Sequence, residues 1–425
     1  MSSLNHCIKF ELDIKDENIV FKDYFYKSIK LQKHKIYEAE LIQPACPFCG
    51  SLDLLHNGHL IANIRYPTAN ASLPVIIRLA KQRVKCRACD HWSMAQSELV
   101  NKYCSISNAS KLKVLSALTE DRSMTSIARE NNVSVNTVQR VLGSCSHRFL
   151  DSYEYLPAHL AFDEFKGVDR QLHFICLDGD NHQVVQILRT RYKKMLLKYF
   201  GRFSPQARAN VKTVTMDLNF YYQDIVRACF PNAQIVIDRF HMIQMLTRSF
   251  NSLRVQVMKT FDKRSRQYQL LKSPWKLYLK KFDELEKAHP RYNWHYKDCL
   301  TQAQVVMEGI NTSTTLENSY NLMQSFIQAV ETGNTHELKS LINCQDQIGT
   351  LMHKTLLTFK HNLTAVLNGA ELPYSNGCLE GFNRKIKQIE RTAFGYSNFT
   401  NLLTRIRLEE DLYKEKEPNS LLMTA

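Results

Sequence analysis

Between residues 157 and 245, short apolar and β-branched runs alternate with longer amphipathic stretches. The runs 160–165, 171–177 and 183–189 predict three strands, the last two joined by the turn-forming Asp178-Gly179-Asp180-Asn181. A helix is predicted over 193–203, a fourth strand over 211–216, a second helix over 221–229 ahead of Pro231, and a fifth strand over 234–237. Residues 246–371 are rich in helix formers and poor in Gly and Pro, which predicts an all-helical segment. Leu372-Pro373 and Asn376-Gly377 interrupt that pattern before a final helical stretch. Upstream, 1–40 shows only short alternating patches, 41–100 reads as strands around paired cysteines, and 105–150 as a small helical unit. The chain is therefore expected to be a multi-domain α+β protein, with 1–40, 41–100, 105–150, 157–245 joined to 372–415, and 246–371 as its parts.

Composition narrows the partners. An apolar fraction of 44% over 425 residues supports real cores. Lys and Arg number 56 against 41 Asp and Glu, a net charge of +15 that favours polyanions, because each neutralised phosphate releases counterions. No apolar run reaches the roughly 18 residues of a membrane span, and the first residues lack a secretory pattern. A cytoplasmic protein with no membrane partner is expected. Of 12 cysteines, four form two C-x-x-C pairs and the rest are scattered, which suits a reducing compartment.

Three constellations carry candidate chemistry. Cys46-Pro47-Phe48-Cys49 and Cys86-Arg87-Ala88-Cys89 are two knuckles whose thiolates suit tetrahedral Zn²⁺ in a zinc-ribbon-like module; four free core cysteines are the plainer alternative. Residues 124–142 have the spacing of a helix-turn-helix. Ile127, Val133, Val138 and Val141 form its apolar face, Ser134 can cap the second helix, and Asn132 tolerates a left-handed turn. Asn136, Thr137, Gln139 and Arg140 are then expected to face a DNA groove, unless the unit is an ordinary helical hairpin.

The third constellation is acidic. Asp163 and Asp217 each follow an apolar strand-like run, and Glu380 begins a helical stretch with Arg384, Lys387 and Arg391 four, seven and eleven positions on. Glu380 is either part of a salt-bridge stripe or, with the two aspartates, one of three hard oxygen donors for divalent metal at a phosphodiester. Glu164 is expected to point away from Asp163 by strand alternation. Asp238 and His241, in Asp238-Arg239-Phe240-His241, read equally as a fold-supporting polar cluster or as a pair orienting the metal ligands. Lys259, Lys263, Arg264, Arg266, Lys276, Lys280 and Lys281 surround Trp275, which is expected in the core rather than on a DNA strand.

Three hairpin strands followed by alternating helices and strands is the order of the ribonuclease-H-like fold. Together with the knuckles, Phe162-Asp163-Glu164, Thr215-Met216-Asp217, Asp238 to His241, Asn376-Gly377 and Glu380-Gly381-Phe382-Asn383, it resembles the bacterial insertion-sequence transposases of the ISL3 group over roughly residues 40–415. The resemblance implies that Asp163, Asp217 and Glu380 form a DDE triad and that 246–371 is a helical insertion before the glutamate. It further implies Mg²⁺ (or Mn²⁺) and Zn²⁺ as cofactors, and double-stranded DNA (terminal inverted repeats and target) as partner. A homodimer or larger synaptic assembly, near the bacterial nucleoid, follows as well. The rival expectation is a DNA-binding regulator that kept the fold and lost catalysis.

Overall fold

The computed structural model describes residues 3–29, 31–68, 72–146, 153–344 and 347–410. The chain divides into two compact units, 1–150 with 386–425, and 151–385.

In the first unit, strands β1 (Ile19–Ile29), β2 (Gln32–Leu41), β3 (Leu54–Tyr66), β4 (Val75–Cys86) and β5 (Trp92–Met94) form one sheet in the order β1-β2-β4-β3, with β5 also on β4. Its core is built from Ile19, Phe21, Tyr37, Leu41, Ile64, Ile77 and Leu79. Residues 1–40 are therefore no separate segment: β2 runs parallel to β4 from the pair Lys35/Val75 to Leu41/Lys81, and β1 follows as the edge. The long interval between the knuckles is the antiparallel pair β3/β4, whose register sets Leu54 opposite Cys86 and so returns the second knuckle to the first.

Three short helices follow, Asn108–Ala117, Met124–Glu130 and Val135–Ser144, and each is capped by a serine (Ser107, Ser123, Ser134) whose hydroxyl accepts an amide hydrogen three residues on. Asn132 takes the left-handed conformation (φ 53°) between the last two. Val114, Ile127, Ala128, Val138 and Leu142 pack inside, joined by Leu408 from the helix Phe399–Glu409. Arg405 of that helix is buried, donating to the carbonyls of Glu120 and Arg122 and pairing with Glu409. The end of the expected 372–415 segment thus belongs with the 105–150 helices, because its apolar side and one buried guanidinium are satisfied there.

The second unit carries strands β6 (His159–Lys166), β7 (Leu172–Asp178), β8 (Val184–Leu188), β9 (Thr213–Met216) and β10 (Gln234–Ile237). Their order across the sheet is β8-β7-β6-β9-β10. β6, β7 and β8 are antiparallel neighbours, while β9 and β10 run parallel to β6. On one face Phe162 meets Phe174, Phe200, Tyr222 and Phe230, so the helices Lys193–Phe200 and Phe220–Cys229 cover that side.

Residues 246–371 neither form a separate core nor are wholly helical. The helix Arg239–Thr260 continues straight out of the sheet and packs on Thr314–Thr332 and Thr350–His361. A small antiparallel pair, Arg291–Asn293 with Asp298–Leu300, interrupts the helices. Phe250, Met323, Phe326 and Phe359 join the same apolar cluster as Phe162 and Ile237. The helix Leu363–Glu371 lies close against β10: a Cβ on Gly369 would fall 2.1 Å from the carbonyl oxygen of Ile237.

Candidate active site

The three parallel strands bring three aspartates toward the same end of the sheet, Asp163 within β6 and Asp217 and Asp238 just past β9 and β10. β6 and β9 are in register at Ala161/Thr215, and two residues further along each strand lie Asp163 and Asp217. β10 ends at Ile237 beside Met216, so Asp238 follows next to Asp217, its amide donating to the Met216 carbonyl (3.0 Å). Loop starts at the carboxyl ends of parallel strands are where open α/β sheets present reactive groups.

Asp238 also caps the helix that begins at Arg239, accepting the His241 amide (3.3 Å). One helical turn then places the His241 imidazole between two carboxylates. Its Nδ1 is hydrogen-bonded to Asp238 Oδ2 (3.1 Å) and makes a close ion contact with Asp217 Oδ1 (2.7 Å). Asp217 first, then Asp238, hold the imidazole protonated up to about 10, against the effect of burial. Burial by itself would raise Asp238; the hydrogen bonds from the His241 ring and the Asn376 amide, with the imidazolium charge, hold it below its ordinary value instead.

Asp163 is treated differently. Burial pushes its carboxyl up to about 6, and the charge of Asp217 adds to the rise, while the Glu164 amide (2.7 Å) and Asn383 Nδ2 (2.7 Å) donate to it and pull the other way. Asn376 ties the approaching segment to the sheet: its amide donates to Asp238 Oδ1 (2.9 Å) and its Nδ2 to the Phe162 carbonyl (3.2 Å). Arg239 fixes the residues just before, donating to the carbonyls of Gly369, Ala370 and Leu372 at the end of their helix.

The ligand set suits a hard cation. Asp217, Asp238 and His241 group their side-chain polar atoms within 4.8 Å of one another, and the two carboxylates are the donors for a cation, since the protonated His241 ring has no free lone pair. The buried oxygens Asn376 Oδ1 and Asn383 Oδ1 accept no hydrogen bond from the described residues. Buried acceptors without donors are costly in protein alone, and oxygen-rich sites of this kind are what Mg²⁺ or Mn²⁺ takes.

Glu380 stands apart from this group. Its helix, Gly377–Thr392, buries Leu379, Ile386 and Ile389, whereas the Glu380 side chain is 59% exposed and accepts from Arg384 Nη2 (2.6 Å). Arg384, Lys387 and Arg391 are also exposed. The same helix instead puts Asn383, one turn beyond Glu380, against Asp163. Sequence reasoning singled out neither Asn376 nor Asn383 as a site residue; the one available signal was their place in the Asn-Gly turn and three residues past an acid.

Glu164, on the opposite face as alternation requires, is saturated by both guanidinium contacts of Arg191 (3.0 and 2.8 Å) and the hydroxyls of Tyr221 and Tyr222. In the first unit the sulfurs of Cys46, Cys49, Cys86 and Cys89 lie within 4.8 Å of one another, near the roughly 3.8 Å edge of a tetrahedron with 2.3 Å Zn–S bonds. The Cys89 amide is the main influence that draws Cys86 down to about 6. Asn136, Gln139 and Arg140 are exposed on Val135–Ser144, but Thr137 turns inward, its hydroxyl 3.0 Å from that of the capping Ser134. A groove-facing Thr137 is thereby corrected: it is the third residue after a cap and belongs to the helix start. Trp275 is likewise no core residue, being 40% exposed with Lys276 Nζ 5.8 Å from its ring.

Among the described residues no helix is long and apolar enough to cross a membrane. Residues 160–406 match the ISL3 transposase family. A transposase for the insertion sequence element IS1001 of Bordetella parapertussis is 22% identical over 349 residues, 78% of this chain and 80% of that protein. An ATP-dependent protease of Lactococcus lactis subsp. lactis is 30% identical over only 109 residues, 26% of this chain and 35% of that protein. The family match runs from the first central strand through the Glu380 helix and covers more than half of the residues, and the chain belongs to the ISL3 family of transposases.

Proposed function

We propose that this transposase cleaves DNA at the terminal inverted repeats of its element and joins the freed 3′ ends to target DNA, through Asp163, Asp217 and Glu380. The observation that carries the proposal is that Asp163 and Asp217 each lie two residues beyond the registered pair Ala161/Thr215 of adjacent parallel strands, with Asp163 raised to about 6 by burial and further by its neighbour's charge. The strand order β8-β7-β6-β9-β10 supports a ribonuclease-H-like fold for this unit. Asp163, Asp217 and Glu380 would hold the divalent cations, which when bound activate the attacking oxygen and stabilise the leaving one.

The chain's own groups do the positioning. Asn383 orients the Asp163 carboxylate, while His241, held by Asp238, orients Asp217. Glu380 precedes Asn383 by one turn, so docking of Asn383 sets the helix register that presents it. Its pairing with Arg384 is an exposed i,i+4 contact worth about 0.3–0.5 kcal/mol, small enough to be exchanged for a cation. Arg384, Lys387 and Arg391 then serve DNA phosphates. The capped helices 124–130 and 135–144 act as a helix-turn-helix that reads DNA with Asn136, Gln139 and Arg140, and the four cysteines hold structural Zn²⁺. Bringing two element ends together calls for a homodimer or larger assembly.

One observation favours the rival, a DNA-binding regulator without catalysis: Glu380 is bonded to Arg384 and not to the aspartate cluster. One assay separates the two. With duplexes carrying the element's ends and Mg²⁺, the wild type nicks the repeat boundary and Asp217→Ala abolishes nicking while retaining binding. A wild type that binds without nicking makes the protein a regulator, and unchanged nicking by Asp217→Ala removes this residue from the site.

A further inference from the structure

The edge of the first unit's sheet carries a feature that neither the cysteine cluster nor the short helices use. β4 flanks β2 only from Lys35 onward, so β1 and β2 continue before that point as a two-stranded ribbon. From residue 23 to 29 β1 is exposed almost throughout, although its first residues are buried. Residues 24–35 contain four lysines and one histidine and no acid.

Strand register assigns these groups to faces. Tyr24, Tyr26, Lys33 and Lys35 lie on one face, with Lys33 Nζ 4.4 Å from the centre of the Tyr26 ring. Phe25, Lys27 and His34 lie on the other, Lys27 being directly opposite His34. Lys35 is engaged by Glu11 (2.9 Å) at the base, whereas Lys27 and Lys33 form no ion pair among the described residues. Exposed rings (Tyr24 43%, Phe25 37%, Tyr26 49%) alternate with these cations on both faces.

We propose that this ribbon inserts into the major groove of duplex DNA, as a contact separate from the helices 124–144. A two-stranded ribbon is the width that the roughly 12 Å major groove admits. Cations on both faces match the two phosphate walls of a groove, where a flat anionic surface would engage only one. Lys27 on one face and Lys33 on the other take phosphates of opposite walls, with Tyr24 and Tyr26 packed beside Lys33 and Phe25 beside Lys27. The inference rests on the reading of this chain as a DNA-acting transposase and adds to it a second anchoring element.

The test measures affinity of the full chain for a fluorescent duplex of arbitrary sequence, about 30 bp long, across a salt series. Each lysine-phosphate contact contributes about 0.9 to the slope of log K against log salt, so the double substitution Lys27→Ala/Lys33→Ala should lower the slope by about 1.8 and weaken binding about tenfold or more at moderate salt. Thermal unfolding should be unchanged, since both side chains are exposed. Tyr26→Ala should weaken binding with the slope preserved. If the wild type binds and the double variant keeps the wild-type slope, the ribbon inference fails while the transposase reading stands. A wild type with no affinity for duplex overturns both. Equal or tighter binding of single strands of the same length, or a changed oligomeric mass in the double variant with an unchanged slope, also overturns it, the last marking the ribbon as a contact between copies.

Discussion

On β6, Asp163 and Glu164 project to opposite faces of one strand, and the two faces treat a carboxylate in opposite ways. Glu164 accepts from Arg191, Tyr221 and Tyr222, so its charge is compensated within the protein. Asp163 has one amide and one asparagine as donors, sits beside another carboxylate, and is raised to about 6. A compensated carboxylate is a strut. An undercompensated one with oxygen-rich neighbours is the kind of group that gains most from a cation. The contrast also shows why an acid-acid pair in sequence is a poor guide by itself: the partners that separate Asp163 from Glu164 come from residues 191, 221, 222 and 383.

The largest effect that could break this contrast is on cleavage. Asp163→Asn should lower the nicking rate about 10³-fold, whereas Glu164→Gln should lower it only as far as the folded fraction falls, as single-turnover rates would show. The same pair should diverge in stability. Moving a carboxyl from 3.8 to about 6 corresponds to about 3 kcal/mol at most, so Asp163→Asn should raise the melting temperature of the metal-free protein at pH 8. Glu164→Gln takes the charge from a mostly enclosed carboxylate whose cationic partner Arg191 is itself 38% exposed, and should cost about 1 kcal/mol. Equal shifts in one direction would erase the distinction between the faces.

The pH profile sharpens it further. The folded-state pKa of Asp163 lies above its ordinary value, so its contribution to stability is complete below about pH 4 and is lost as pH rises through about 6. His241 acts likewise at higher pH: its contribution is full below 6.5 and disappears as pH climbs through about 10. Denaturant unfolding without metal should show both declines, and Asp163→Asn should remove only the first. Gly369→Ala tests the support behind the site, since its methyl group would meet the Ile237 carbonyl; a loss of about 1–3 kcal/mol is expected on thermal unfolding. The smallest effect belongs to Arg384→Ala, within about 0.5 kcal/mol in stability, because its pair with Glu380 is solvated.

Much of the architecture was legible from residues close together in the chain. The five strands of the second unit appear within a few residues of where apolar runs placed them, because alternation and turn chemistry act over four to eight positions. Ser134 caps its helix and Asn132 adopts φ 53°, both local consequences of side-chain reach and backbone sterics. The spacing of Cys46, Cys49, Cys86 and Cys89 was enough to anticipate a four-sulfur cluster. Tertiary packing decided the remainder. It joined residues 1–40 to the cysteine sheet, merged 246–371 with the core of Phe162, and placed Phe359 and Ile237 in one cluster. It also selected Asn383, 220 positions from its partner Asp163, as the side chain that reaches the aspartate while Glu380 bonds to Arg384. No local pattern encodes that choice: which residue on a helical face meets a carboxylate depends on where distant strands and helices hold that helix, and contacts of such separation exist only once the whole core has formed.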